Sequence, residues 1–356
     1  MTDKDRLANA DALMVIGFGG PESVDEVIPF LERVTAGRGI PPERLAEVGE
    51  HYYAFEGRSP VNGQNKVLTQ ELARRISDQG LDIPVVRANR NSPPFVADVV
   101  QGLIDHGAKN IMAIALASFS CYSSCRQYRE DLALALESSG ARDVEIVKVP
   151  NCWSVPGLED AFVESLTPAL AGVGDQSTRV MFAIHSLPLP MASSAGPNGD
   201  AYVDQQKALA ERIMDRAWRD AGLEEEPPWE LVYQSRSGPP HVPWLEPDIS
   251  DAILEAHKDG ITHVICVPIS FLTDHMEVIW DLDTQAAETA DDLGLDFTRV
   301  PTPGTNPVFL DSWAQWLTTY LTGDIHLAGL GEHCFGNCCQ APRGKATPVV
   351  KGIALS

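Results

Sequence analysis

The sequence predicts an α/β protein of two similar lobes, each a parallel sheet flanked by helices, with a cleft between them. Two observations predict it. Short β-rich apolar runs alternate with longer segments of helical period, the pattern of a parallel sheet wrapped by helices. The two halves of the chain also echo each other. Residues 103–119 (LIDHGAKNIMAIALASF) and 255–271 (EAHKDGITHVICVPISF) share a layout of helix end, glycine, polar pair, apolar strand and small-polar loop. Residues 13–20 and 180–187 are likewise strands running into loops. Two related lobes would turn their strand C-terminal ends toward a shared cleft, where open α/β sheets bind ligands.

The clearest strands are Ala12–Gly17, Asn110–Ala115, 144–149, 179–184 and 263–268. Helical period runs through 67–79 and 201–221, and a last helix is expected over 306–321, where Trp313, Trp316 and Leu317 read as core. The lobes then fall at 1–172 and 173–305, with a last helix and a cysteine-rich tail over 306–356. Gly17-Phe18-Gly19-Gly20-Pro21 lacks the glycine spacing of a dinucleotide fingerprint, and no lysine–serine pair follows as a phosphate loop needs. It reads as a tight strand-to-helix turn that lets a flat ligand approach the backbone, with Pro21 in the first turn of the helix.

Across 356 residues, 50 acidic side chains outnumber 27 basic ones, for a formal charge of −23. That balance repels phosphate backbones and anionic membrane surfaces, so nucleic acid is a poor partner. No apolar run approaches the twenty or so residues of a membrane span, and the N-terminus lacks a signal layout. The expectation is a cytoplasmic monomer. Seven cysteines in such a chain suggest metal binding rather than a disulfide framework.

His185 follows an apolar strand directly, so it faces the cleft. Its ordinary pKa suits it to take protons or hold a metal ion, although a lone histidine at a strand end is more often structural. A second segment changes the weighing. Residues 267–281 read as strand, turn and helix start, and on a helix Asp274, Glu277 and Asp281 would share one face. First-turn acids also suit the helix dipole. A stripe of acids this close to a strand end is a relay for a divalent cation or for protons.

Several motifs together resemble the ferrochelatase family: His185-Ser186-Leu187-Pro188 after a strand, Tyr233-Gln234-Ser235-Arg236-Ser237-Gly238-Pro239 with Trp244-Leu245-Glu246-Pro247, and Asp274-His275-Met276-Glu277-Val278. Gly17-Phe18-Gly19-Gly20-Pro21 and Ser59-Pro60-Val61-Asn62-Gly63-Gln64 match as well, over roughly residues 12–325. The resemblance implies two Rossmann-like lobes in a chelatase fold, porphyrin in the cleft and Fe²⁺ as the other substrate. It implies His185 and Glu277 as the pair that receives iron and the pyrrole protons, with Ser59 and Tyr128 as porphyrin contacts. Asp274 and Asp281 would feed metal or carry protons away. Arg33, Arg38, Arg58, Arg126 and Arg129 are candidate partners for porphyrin carboxylates. Phe18 departs from relatives with an axial tyrosine there, which excludes axial ligation from that position. The overall look is closest to actinobacterial-type members, which act on coproporphyrin III; protoporphyrin IX is the alternative substrate. A cobalt or nickel chelatase and a non-catalytic Fe–S or haem sensor are rival functions.

His333-Cys334-Phe335-Gly336-Asn337-Cys338-Cys339 gathers three thiols within six residues, which suggests soft-metal ligation. Several ferrochelatases have a similar layout, with one internal cysteine and three near the C-terminus. The resemblance therefore implies a [2Fe–2S] cluster on Cys152, Cys334, Cys338 and Cys339. A zinc site using His333, or free thiols, is the alternative. Cys121, Cys125 and Cys266 read as structural thiols.

Overall fold

The computed structural model describes residues 8–173, 177–238, 241–323, 338–341 and 347–352. Its most apolar runs became strands at the sheet centres. β1 (Ala12–Gly17) is buried along its whole length, as befits a strand covered by helices on both faces. It lies between β2 (Val85–Asn89) and β3 (Asn110–Ala115), and β4 (Glu145–Lys148) continues the sheet. The second sheet has β5 (Thr178–His185) between β6 (Trp229–Gln234) and β7 (His263–Val267), with β8 (Asp296–Arg299) outermost. Every pairing is parallel. Strands one to four of each sheet therefore run in the same spatial order, which is the duplication legible in the sequence. β2, β6 and β8 were not among the clearest strands because they lie at sheet edges and carry Arg87, Glu230 and Asp296 on part-exposed faces.

The helices that position the site are α1 (Val24–Val34), α2 (Pro42–Tyr53), α3 (Val61–Asp78), α4 (Pro156–Ala171), α5 (Ala201–Asp220), α6 (Met276–Ile279) and α7 (Pro307–Leu321). α1 begins three residues beyond Pro21, so the proline ends the glycine loop and does not open the helix; its carbonyl accepts the Ser59 amide at 3.0 Å. α3 starts six residues before its apolar period because, after Val61, its first turns bury the amides Asn62 and Asn65. At α7 the Asn306 carboxamide accepts the Val308 and Phe309 amides at 2.8 and 3.3 Å, with Pro307 opening the first turn. Trp313 and Trp316 are core, as expected.

α4 packs on both α5 and α7, and α7 packs on α3. One hydrophobic core consequently runs from Val15 and Leu72 through Phe162 and Trp313 to Phe182 and Ile265, spanning both sheets. The C-terminal segment then returns to the first lobe. β9 (Lys351–Gly352) pairs with β4, placing Val147 opposite Lys351 and Lys148 opposite Gly352. Among the described residues, no helix is long and apolar enough to cross a membrane.

Candidate active site

β5 fills the second sheet with Val180 to Ile184, all fully buried, and delivers His185 as its last residue. His185 is held by its backbone and by one ring nitrogen. Its backbone amide donates to Ser270 Oγ at 3.2 Å, and its carbonyl accepts the Tyr202 hydroxyl at 2.8 Å. Its Nδ1 lies 2.6 Å from the Ser186 carbonyl, an acceptor, so Nδ1 carries the hydrogen. Nε2 is left facing Glu277 Oε1 at 3.4 Å. A third of the His185 side-chain surface (33 %) and 41 % of that of Glu277 stay open to a ligand.

Glu277 comes from α6, which His275 opens directly after the β7 loop. The Glu277 carbonyl accepts from Gln234 Nε2 at 2.6 Å, tying α6 to the end of β6. Burial alone would pull the imidazole of His185 below its ordinary value. The Glu277 carboxylate overrides this and, helped by the Ser186 carbonyl, raises it to about 9. Burial works to raise Glu277, but the positive ring holds it below the usual carboxylate range. The pair therefore rests as imidazolium and carboxylate.

Asp281 sits one turn beyond Glu277, where α6 gives way to the π-helical turn Asp281–Ala286. It accepts a short hydrogen bond from Ser235 Oγ. Burial pushes its pKa up to about 7, against the Ser235 hydroxyl and with the Glu277 charge. A group titrating near neutrality can both take and release a proton under the same conditions. Tyr52, from α2 of the other lobe, has its phenol pushed up by burial and by the fields of Glu277 and Asp281.

The expected stripe of three acids is corrected at Asp274. The chain is not helical there and turns helical only at Met276. Asp274 instead closes the lobes: its amide donates to Gln64 Oε1 at 2.8 Å, and Oδ1 meets Thr302 Oγ1 at 3.1 Å and Arg299 Nη1 at 3.3 Å. Thr273 adds a bond to Asn65 at 2.9 Å, and His51 stacks on Trp280 with centroids 4.3 Å apart. Tyr52, Tyr202 and Ser235 were not legible as site residues, because only the folded chain brings them to the His185 pair.

The first lobe's wall is the glycine loop. A side chain at Gly17 would come within 2.7 Å of Asn65 Nδ2, and Gly19 has φ +85°, so the loop can run flat against the buried amides. Asn62 Nδ2 donates to the Gly20 carbonyl at 2.8 Å, Asn89 Nδ2 to Asn62 Oδ1 at 3.1 Å, and the Gly20 amide to Ser92 Oγ at 3.2 Å. Ser59 is packed beside Gly20. Phe18 faces both Phe30 and His275, at 6.2 and 6.4 Å between centroids.

Tyr128, expected at the porphyrin, is 3 % exposed and packs into the core behind the first sheet, with the Arg90 guanidinium 4.9 Å over its ring. Among the candidate arginines, Arg126 and Arg129 are buried and turned to the C-terminal segment. Arg33 donates to the Asn91 carbonyl at 2.9 Å, while Arg38 and Arg58 are exposed. A cavity of about 390 Å³ opens beside His185's neighbour Ser186, lined also by Tyr233, Arg236, Glu246 and Asp248.

The cysteines meet in a way the sequence did not suggest. Cys338 and Cys339, with Sγ atoms 3.7 Å apart, pack directly on Cys125. Cys152 belongs to the hydrophobic core, its Sγ turned to the Ala117 carbonyl at 3.8 Å and its pKa pushed up to about 12 by burial. Cys334 lies outside the described residues, as does His333. Among the described residues no three His, Cys, Asp or Glu side chains are arranged to enclose a metal ion.

Two parallel α/β lobes that offer an imidazole and proton-labile carboxylates to their cleft define a metal chelatase. Among solved structures, SirB from Bacillus subtilis with Fe³⁺ superposes with a TM-score of 0.51 at 12 % identity, covering 89 % of this chain and 97 % of that one, a likeness of fold. The ferrochelatase family model matches residues 10–321. A coproporphyrin III ferrochelatase of Propionibacterium freudenreichii subsp. freudenreichii is 42 % identical over 98 % of this chain and 99 % of its own. That of Streptomyces coelicolor is 43 % identical over 84 % of this chain and 82 % of its own. The chain belongs to the ferrochelatase family.

Proposed function

We propose that the chain inserts Fe²⁺ into coproporphyrin III to give coproheme, within haem biosynthesis. The observation that carries the reaction is His185 Nε2 facing Glu277 Oε1 at 3.4 Å on an open cleft wall. The activity named for relatives 42 and 43 % identical over most of the chain supports the substrate. In the reaction Fe²⁺ enters as two pyrrole N–H protons leave. His185 and Glu277 together receive the ion and those protons, since the incoming cation displaces the proton held between them. Asp281 and Ser235 carry protons onward from the pair. Ser59, beside the flat glycine loop, is a porphyrin-contact residue, and the loop lets the macrocycle lie against backbone. The six described cysteines are free thiols, which supports a reducing, cytoplasmic setting.

The test is anaerobic incubation with Fe²⁺ and either coproporphyrin III or protoporphyrin IX, followed by absorbance. Faster conversion of coproporphyrin III is expected. Preference for protoporphyrin IX would change the substrate, and conversion of neither would overturn the reading.

A [2Fe–2S] cluster belongs to the same reading. What supports it is proximity alone: Cys125, Cys338 and Cys339 pack together in one buried cluster, although as placed they do not enclose a metal ion. These three would hold the cluster, with Cys334 as the fourth thiol by sequence. Bound there, such a cluster would supply one-electron chemistry and would tie the C-terminal segment to the first lobe. Iron and acid-labile sulfide in anaerobically purified protein, in equal amounts, are the expected result. Zinc in their place would overturn it.

A further inference from the structure

Between the end of β7 and the start of α6, residues 268–275 carry the chain to Glu277 without helix or strand. Such a segment is placed by the side chains that bond to it, not by a backbone ladder. The second lobe holds it at Ser270, whose Oγ accepts the His185 amide, and at the Leu272 carbonyl, which accepts the Gly304 amide at 2.7 Å. The first lobe holds it through two neighbouring amides of α3. Asn65 Oδ1 accepts from Thr273 Oγ1 at 2.9 Å, and both residues are buried, 1 and 2 % exposed. Gln64 takes Asp274 twice: Oε1 accepts its backbone amide at 2.8 Å, and Nε2 donates to Oδ2 at 3.4 Å.

Asn65 also faces the other way. Its Nδ2 packs against Gly17, where a Cβ would come within 2.7 Å of it. One buried carboxamide thus touches both the glycine loop and the segment that leads to Glu277. An apolar pair would join the lobes about as firmly, because a buried neutral hydrogen bond adds only modest net stability. What the directional bond adds is register, since it forms only at one separation.

We propose that Asn65 and Gln64 are positioning residues that set how far Glu277 stands from the glycine loop, and so from the bound porphyrin. The inference rests on the function proposed above, in which the macrocycle lies against that loop. Iron passes from the His185–Glu277 pair to the ring centre. A small change in that distance therefore alters the transfer more than it alters porphyrin binding.

The experiment uses the porphyrin that wild type converts, and measures kcat for Fe²⁺ insertion and, separately, porphyrin Kd by fluorescence. The variants are Thr273→Val, which keeps the shape and removes the hydroxyl, and Thr273→Ser, which keeps the hydroxyl. Thr273→Val is expected to lower kcat about tenfold with Kd near wild type, since a misplacement of about 1 Å can cost about 10²-fold. Thr273→Ser should stay near wild type. Added to Asn65→Ala, Thr273→Val should cost nothing further, because the bond is already gone. An unchanged kcat in Thr273→Val, an equal fall in Thr273→Ser, or a full further loss in the double variant would overturn the proposal. Should Thr273→Val not fold, Gln64→Ala, at a half-buried position, releases Asp274 and reads the same split between kcat and Kd. An unchanged kcat there would overturn the proposal as well. A wild type that converts no porphyrin would instead remove the proposed function itself.

Discussion

At the ligand-facing ends of the two sheets, equivalent topology carries opposite chemistry. Around β1 the groups are neutral and buried: Asn62, Asn89 and Ser92 are bonded to one another and to the glycine loop, and Asn65 accepts from Thr273. Around β5 they are ionisable and partly open: His185, Glu277 and Asp281. Neutral amides cannot change protonation near neutral pH, so they fix a shape and hold it. The His185 side can exchange protons for a cation because its charges are close enough to shift one another. A duplicated fold has divided its work, with shape on one edge and proton chemistry on the other.

The division breaks most sharply at His185. Replacing it with Ala should lower iron insertion by about 10²–10⁴-fold, the usual contribution of a positioned proton-transfer group. Porphyrin binding, followed by fluorescence, should be nearly unchanged, and retained turnover would remove His185 from the reaction. Glu277→Gln keeps the shape and removes the field. The His185 pKa should fall from about 9 toward its ordinary 6.5, which a histidine NMR titration reads directly, with turnover reduced but less than for His185→Ala.

On the other edge, Asn89→Ala leaves the Asn62 and Ser92 oxygens short of a donor. It should cost about 1–3 kcal/mol in urea unfolding. If the first lobe holds shape alone, porphyrin affinity should fall while the pH profile of turnover stays fixed.

The smallest effect is at Asp281. Its folded pKa of about 7 lies above the ordinary 3.8, so the folded chain binds this proton more tightly than the unfolded chain does. Stability from this group is full below about pH 4 and declines as pH rises toward 7. Asp281→Asn should melt with wild type near pH 4 and above it at pH 8. Matching melting curves across that range would show that Asp281 is not held protonated by burial.

Much of this was legible beforehand. Apolar continuity marks β1, β3, β5 and β7 because central parallel strands have no polar face, and the repeated layout gives the two lobes. His185 was legible because a strand that ends in a histidine carries it to the sheet's C-terminal edge. Asp274 was misread since periodicity cannot report that Gln64 and Arg299 hold a residue out of the helix that follows. The meeting of Cys125 with Cys338 and Cys339 is not legible in the sequence, because nothing local links residues more than two hundred positions apart.

By itself the sequence determined the strand and helix periods, the duplication, the family and the chemical types at the site, since each depends on side chains a few positions apart. The tertiary structure alone decided which thiols meet, which acid turns away and which lysine is buried beside the thiols. Those outcomes depend on contacts between distant segments, such as β9 returning to β4 and Gly196 meeting Cys339. Burial and neighbouring charge, which set the proton affinities of His185 and Asp281, exist only once those segments have packed.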